Sequence, residues 1–154
     1  MKVFEGAKSV SRGNRFLVID ENDTLWGWSS YWYGTPYENN SGNLFSTKTP
    51  IKLAEQVAFA DSGTGFVAYV TTDGALYVMP DATEPKNKGI FGITEPTLLM
   101  VEVADISAGG SFMLILGKDG YARAWGENKE GRLGIGTTEN AEEPMMILGF
   151  YEKK

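Results

Sequence analysis

Side chains with the types and spacing for chemistry fall in a few places along this 154-residue chain. In "DENDT", residues 20–24, side-chain oxygens follow one another as in a calcium loop, but the glycine and distal glutamate of such a loop are missing. In "DSGTG", residues 61–65, a carboxylate and two hydroxyls (Asp61, Ser62 and Thr64) could line a ligand site. Glu127 and Glu130 are an acidic pair better explained as a solvated loop, and "GRLGIG", residues 131–136, lacks the spacing of a dinucleotide or phosphate loop. The chain has no histidine, which removes the Ser-His-Asp triad and every imidazole base or metal ligand. It has no cysteine, hence no disulfide, thiol nucleophile or thiolate metal site. Neither catalysis nor a metal nor a cofactor is expected from these residues.

The remaining place suits binding. Residues 26–37, "WGWSSYWYGTPY", hold three of the four tryptophans and three of the seven tyrosines. Tyr31, Trp32, Tyr33 and Tyr37 are interleaved with Ser, Gly and Asn in "SSYWYGTPYENNSGN", the composition of binding loops. Tyr and Trp give large contact area at low entropic cost and are enriched among interface hot spots.

The elements that position these residues come from an internal repeat. "RFLVIDENDTLWGW", "FVAYVTTDGALYVM" and "FMLILGKDGYARAW" each read as two short strands about a tight turn, Asn22-Asp23, Asp73-Gly74 or Asp119-Gly120. They start at Arg15, Phe66 and Phe112, so the unit recurs after 51 residues (15 to 66) and then 46 (66 to 112). Each hairpin follows a short apolar stretch ("AKSVS", "VAFADSG", "VADISAGG") and precedes a loop and a proline that opens a further stretch, at Pro50, Pro96 and Pro144. Each unit is therefore four short strands, and "KVFEG" at the start matches the strand after each proline. The expected fold is all-β, a β-propeller type with three four-stranded antiparallel blades, residues 6–53, 57–101 and 103–150, plus an extra N-terminal strand over 1–5.

Register divides the aromatic run. Trp28 aligns with Met79 and Trp125, and Trp26 with Tyr77 and Arg123, so both tryptophans belong to a blade strand. Beyond them, unit one has "SYWYG" where unit three has "ENKEG", and its loop to the proline spans 22 positions (28 to 50) against 19 (125 to 144). Trp26, Tyr77, Phe150 and Tyr151 are expected at a blade contact or a dimer seam. Tyr31, Trp32, Tyr33 and Tyr37 are expected to meet a protein partner, with self-association as the alternative.

Net charge is −6 and the basic residues are scattered, which argues against binding to nucleic acid. No apolar run is long enough for a membrane span and no signal peptide opens the chain, so a cytoplasmic location is expected.

"AWGENKEGRLGIG", residues 124–136, resembles the signature of the regulator of chromosome condensation repeat. Trp125, Gly126, Asn128, Gly131, Leu133, Gly134 and Gly136 match it, Arg132 replaces the usual glutamine, and Phe112 sits where a histidine is common. The resemblance implies a propeller, usually of about seven blades. Three blades would leave two apolar faces uncovered. Either a larger propeller supplies the rest, or two copies close a six-blade ring as a homodimer. The family includes exchange factors, photoreceptors and a β-lactamase inhibitor. The resemblance therefore implies a non-catalytic module that binds a partner protein, an inhibitor-like role fitting the aromatic loop. The competing expectation is a ligand-binding or enzymatic site in the central channel, near Asp61, Ser62 and Thr64.

Overall fold

The computed structural model describes residues 4–11, 15–28, 49–80 and 90–149. These form twelve strands in three antiparallel sheets of four, each sheet running through its strands in chain order. The first sheet holds β1 (Ala7–Ser11), β2 (Phe16–Asp20), β3 (Leu25–Trp28) and β4 (Ile51–Ala54). The second holds β5 (Val57–Ser62), β6 (Phe66–Thr71), β7 (Leu76–Pro80) and β8 (Thr97–Met100). The third holds β9 (Val103–Ala108), β10 (Phe112–Gly117), β11 (Ala122–Gly126) and β12 (Ala141–Met146). Of the strand expected over residues 1–5, Phe4 and Glu5 lie outside any strand, and residues 1–3 lie outside the described residues.

The hairpin register aligns the units in space as well as in sequence. Phe16 pairs with Trp28, Val67 with Met79 and Met113 with Trp125. The third turn residue of each hairpin has a positive φ: 58° at Asp23, 93° at Gly74 and 80° at Gly120. Glycine adopts that conformation freely and Asp tolerates it, which explains why Asn-Asp can stand where the other units have Asp-Gly.

Two apolar joints hold the sheets face to face. Leu17, Ile19 and Leu25 of the first meet Val57, Val67, Tyr69 and Met79 of the second. Phe66, Ala68, Val70, Leu76 and Val78 on the second sheet's other face meet Val103, Met113, Ile115 and Trp125 of the third. Because successive residues point to opposite faces, β6 is apolar at every position from Phe66 to Val70 and fully enclosed. Each joint also carries a backbone bond at the same register position. The N–H of Val57 donates to the carbonyl of Asp23 (2.8 Å), and the N–H of Val103 to that of Gly74 (3.0 Å). The inner strand β5 approaches both β1 and β9, as neighbouring blades do about a propeller axis.

Candidate functional site

At the inner strands, Asp61 at the end of β5 joins all three sheets. Its carboxylate accepts from the Ser11 hydroxyl of the first sheet (2.9 Å), from the Ala108 N–H of the third (2.9 Å) and from the Ser62 N–H beside it (2.8 Å). Ser62 is buried, and its hydroxyl accepts from the N–H of Arg15 in the first sheet (2.8 Å). The Thr64 N–H donates to the Gly110 carbonyl of the third sheet (2.7 Å). The three polar residues of "DSGTG" thus sit together and take part in tying neighbouring sheets. A cleft of about 360 Å³ opens beside them, lined by Ser11, Phe59, Asp61, Asp105, Ile106 and Ala108 among others.

The rim loop of the third sheet explains the repeat signature. Asn128 is completely buried: its side-chain oxygen accepts from the Leu133 N–H (2.9 Å), its amide donates to the Thr137 carbonyl (2.8 Å), and its backbone N–H donates to Asn140 Oδ1 (2.9 Å). Leu133 is thereby held in a small cluster with Ala124 and Ala141, which fills the loop from within. Gly126 has φ 121°, and a Cβ there would lie 2.4 Å from Phe112 Cα and from the Ser111 carbonyl oxygen. Trp125, fully buried, donates from Nε1 to the Glu142 carbonyl (3.0 Å) and meets Phe66 and Phe91 edge to face at 5.3 and 5.4 Å. Phe91 comes from the loop of the second sheet and has φ 53°. In sequence it stands in "GIFGI", residues 89–93, all that the second unit keeps of the signature's glycine loop, and nothing there marks Phe91 as the partner of Trp125.

The corresponding loop of the first sheet begins after Trp28, and Tyr31, Trp32, Tyr33 and Tyr37 lie outside the described residues, as do Phe150 and Tyr151. Where the loop leaves the sheet, Trp28 stacks on Phe16 (centroids 5.6 Å apart, planes at 20°). Trp26 donates from Nε1 to Asp20 (2.8 Å) and meets Phe4 edge on at 6.0 Å. Tyr77 is placed in the joint between the first two sheets, stacked at 5.4 Å on Tyr69, whose hydroxyl pKa is raised by burial and by Tyr77.

The acidic turn residues serve their own hairpins. The Asp20 carboxylate also accepts from the N–H groups of Asn22 (2.9 Å) and Thr24 (3.0 Å), and its pKa is lowered, foremost by the Trp26 bond. Asp73 is lowered by the Thr71 hydroxyl and the Ala75 N–H. Asp119 is lowered to about 2, first by the Arg123 guanidinium at 2.6 Å and then by the Tyr121 N–H. The oxygens of "DENDT" are therefore used in a turn. Among the described residues no group of three His, Cys, Asp or Glu is placed to hold a metal ion, and no helix is long and apolar enough to cross a membrane.

Comparison with known proteins agrees with this architecture. The family profile described as regulator of chromosome condensation (RCC1) repeat matches residues 103–132, which run from the start of β9 into the Asn128 loop. The human E3 ubiquitin-protein ligase HERC2 is 25% identical over 153 residues, a match that takes in 90% of this chain but spans 3% of that protein. Two structures of yeast Prp20 share the fold. One, with Kap60 bound to yeast RCC1 (Prp20), has a TM-score of 0.67 at 20% identity over 97% of this chain and 42% of that one. The other, of Prp20p from Saccharomyces cerevisiae and described with its binding to Gsp1p and histones, has a TM-score of 0.66 at 21% identity over 94% and 39%. With a signature loop built around Asn128, the third unit matches the RCC1 repeat, and the chain's three sheets share the propeller fold of Prp20.

Proposed function

We propose that the chain is a non-catalytic protein-interaction module of propeller type, and that the aromatic loop of its first unit, Tyr31, Trp32, Tyr33 and Tyr37, grips a partner protein. Prp20, which shares the fold, is described with protein partners: Kap60, Gsp1p and histones. The observation that carries the reading is the role of Asn128. That side chain supplies two hydrogen bonds that hold its own loop closed, and unit one has Tyr31 at the same register position. Asn128 makes these bonds from two separate atoms at the end of a short side chain, whereas a tyrosine offers a single oxygen at the far edge of a rigid ring, which cannot stand in for both inside the loop. The first loop has exchanged the residues that fold the loop for residues that make contact area. An inhibitor-like mode, in which the loop covers a target's working surface, suits such a loop.

A ligand in the axial cleft is the second reading, favoured by the 360 Å³ opening beside Asp61 and Asp105. It is the weaker, because Asp61 and Ser62 already hold the sheets together. The test changes Tyr31, Trp32 and Tyr33 to alanine together and compares, by quantitative mass spectrometry, the proteins retained from source-cell extract. Loss of a specific protein at unchanged stability is expected. Unchanged retention would refute the loop's role.

A further inference from the structure

The two outer faces of the three-sheet body are the separated halves of the joint that the chain makes twice internally. On the third sheet, Leu114 and Leu116 stand in register with Ala68 and Val70, and with Leu17 and Ile19. Those four are buried against the next sheet, whereas Leu114 and Leu116 are 45% and 42% exposed. On the first sheet, Phe16 is in register with Val67 and Met113, both fully buried against the preceding sheet, yet it is 49% exposed. The backbone part of the joint is split in the same way. Asp23 and Gly74 accept the N–H of the next sheet's first inner-strand residue, and Gly120, their register equivalent, stands in the outermost turn of the third sheet.

The donor for Gly120 is also identifiable. The carbonyls of Gln56 and Glu102 accept from Thr72 and Lys118, and each immediately precedes the residue that makes the joint, Val57 or Val103. In the first sheet the carbonyl of Gly6 accepts from Glu21 in the same way, so Ala7 occupies the place of Val57 and Val103.

We infer that the third sheet of one copy docks on the first sheet of a second copy, so that two chains close a six-blade ring. In that joint Leu114 and Leu116 cover the Phe16 face, and the Ala7 N–H of the second copy donates to the Gly120 carbonyl. The occupant is a second copy because this chain itself carries both matching halves. Six blades lies within the usual range of propellers, and the pairing has two-fold symmetry about the ring axis. The inference goes beyond the aromatic loop and does not rest on it.

Sedimentation across a range of concentrations, followed by the double variant Leu114→Glu with Leu116→Glu, tests it. The wild type is expected at twice the 16.9 kDa chain mass, and the variant at the chain mass with association weakened on the order of a hundredfold or more. Leu98→Glu is the control: Leu98 is 50% exposed, stands in register with Lys52, and is expected to leave the dimer intact. If the double variant fails to fold, Phe16→Glu breaks the opposite half of the joint and is expected to give the same dissociation. Three results would overturn the inference. They are a wild-type monomer at all concentrations, an open ladder of higher masses, or a dimer that survives these charges on either face.

Discussion

Asp61 is where the joining of the three sheets is most exposed to experiment. Asp61→Ala removes acceptors for the Ser11 hydroxyl, the Ser62 N–H and the Ala108 N–H, one from each sheet. Bonds to a charged acceptor contribute roughly 1.5–3 kcal/mol each when enclosed, and less where water can substitute. Asp61 is half-buried, so the three together are expected to contribute about 2–4 kcal/mol. That is a large part of the roughly 5–15 kcal/mol by which domains are stable. Asp61→Asn keeps one acceptor oxygen and can reverse the Ser11 bond by donating to the hydroxyl, so about half that loss is expected. Urea unfolding followed by tryptophan fluorescence measures both, because Trp125 is enclosed between the second and third sheets. At an m-value of about 2 kcal/mol per molar, the Ala variant lowers the midpoint by about 1–2 M. A double-mutant cycle with Ser11→Ala should return a coupling of at least about 0.5 kcal/mol, since the pair is in direct contact. An Ala variant within about 0.5 kcal/mol of wild type would refute the idea that this carboxylate ties the sheets.

Further outcomes follow from the same geometry. Asn128→Ala leaves the buried Leu133 N–H without its acceptor and the more exposed Thr137 carbonyl without its donor, and is expected to cost about 1–3 kcal/mol by urea unfolding. Asn128→Asp is expected not to restore it, because a carboxylate cannot donate to Thr137. Gly126→Ala forces a methyl within 2.4 Å of backbone at φ 121° and is expected to destabilise by about 3 kcal/mol; an unchanged melting curve would contradict the described turn. For Asp119, the folded pKa is lowered from 3.8 to about 2, so its pairing with Arg123 contributes fully above 3.8 and is lost as pH falls toward 2. A carboxyl NMR titration should place the Asp119 midpoint near 2 and return it toward 3.8 in Arg123→Met; a wild-type midpoint at 3.8 would contradict the pairing.

Much of this fold was legible in the sequence because its information is local. Turn residues and period-two alternation mark each hairpin, and an ungapped match between hairpins sets the register of all three sheets. That register also reveals the open faces, since Phe16, Leu114 and Leu116 are apolar where their counterparts are buried. The joints were less legible. Asp61 reads as a possible ligand for a channel, and only the approach of Ser11 and Ala108 from neighbouring sheets shows what the carboxylate does. Phe91 reaches Trp125 from a loop that keeps only "GIFGI", residues 89–93, of the repeat's glycine pattern, through a left-handed backbone at Phe91 itself. The N-terminal "KVFEG" repeats the apolar pattern of β4, β8 and β12, but Phe4 lies outside any strand and packs edge on against Trp26 instead. Apolar pattern alone does not provide a strand with a partner edge.

The central claim is that the first loop contacts another protein and the third loop folds itself. Replacing Ser30–Gly34 with the five residues of unit three, Glu127–Gly131, tests it in a single comparison with the wild type. Measured by quantitative co-precipitation from source-cell extract, the grafted chain is expected to lose the protein that the wild type retains while unfolding at the same urea concentration. Retention of that protein by the graft would contradict the claim.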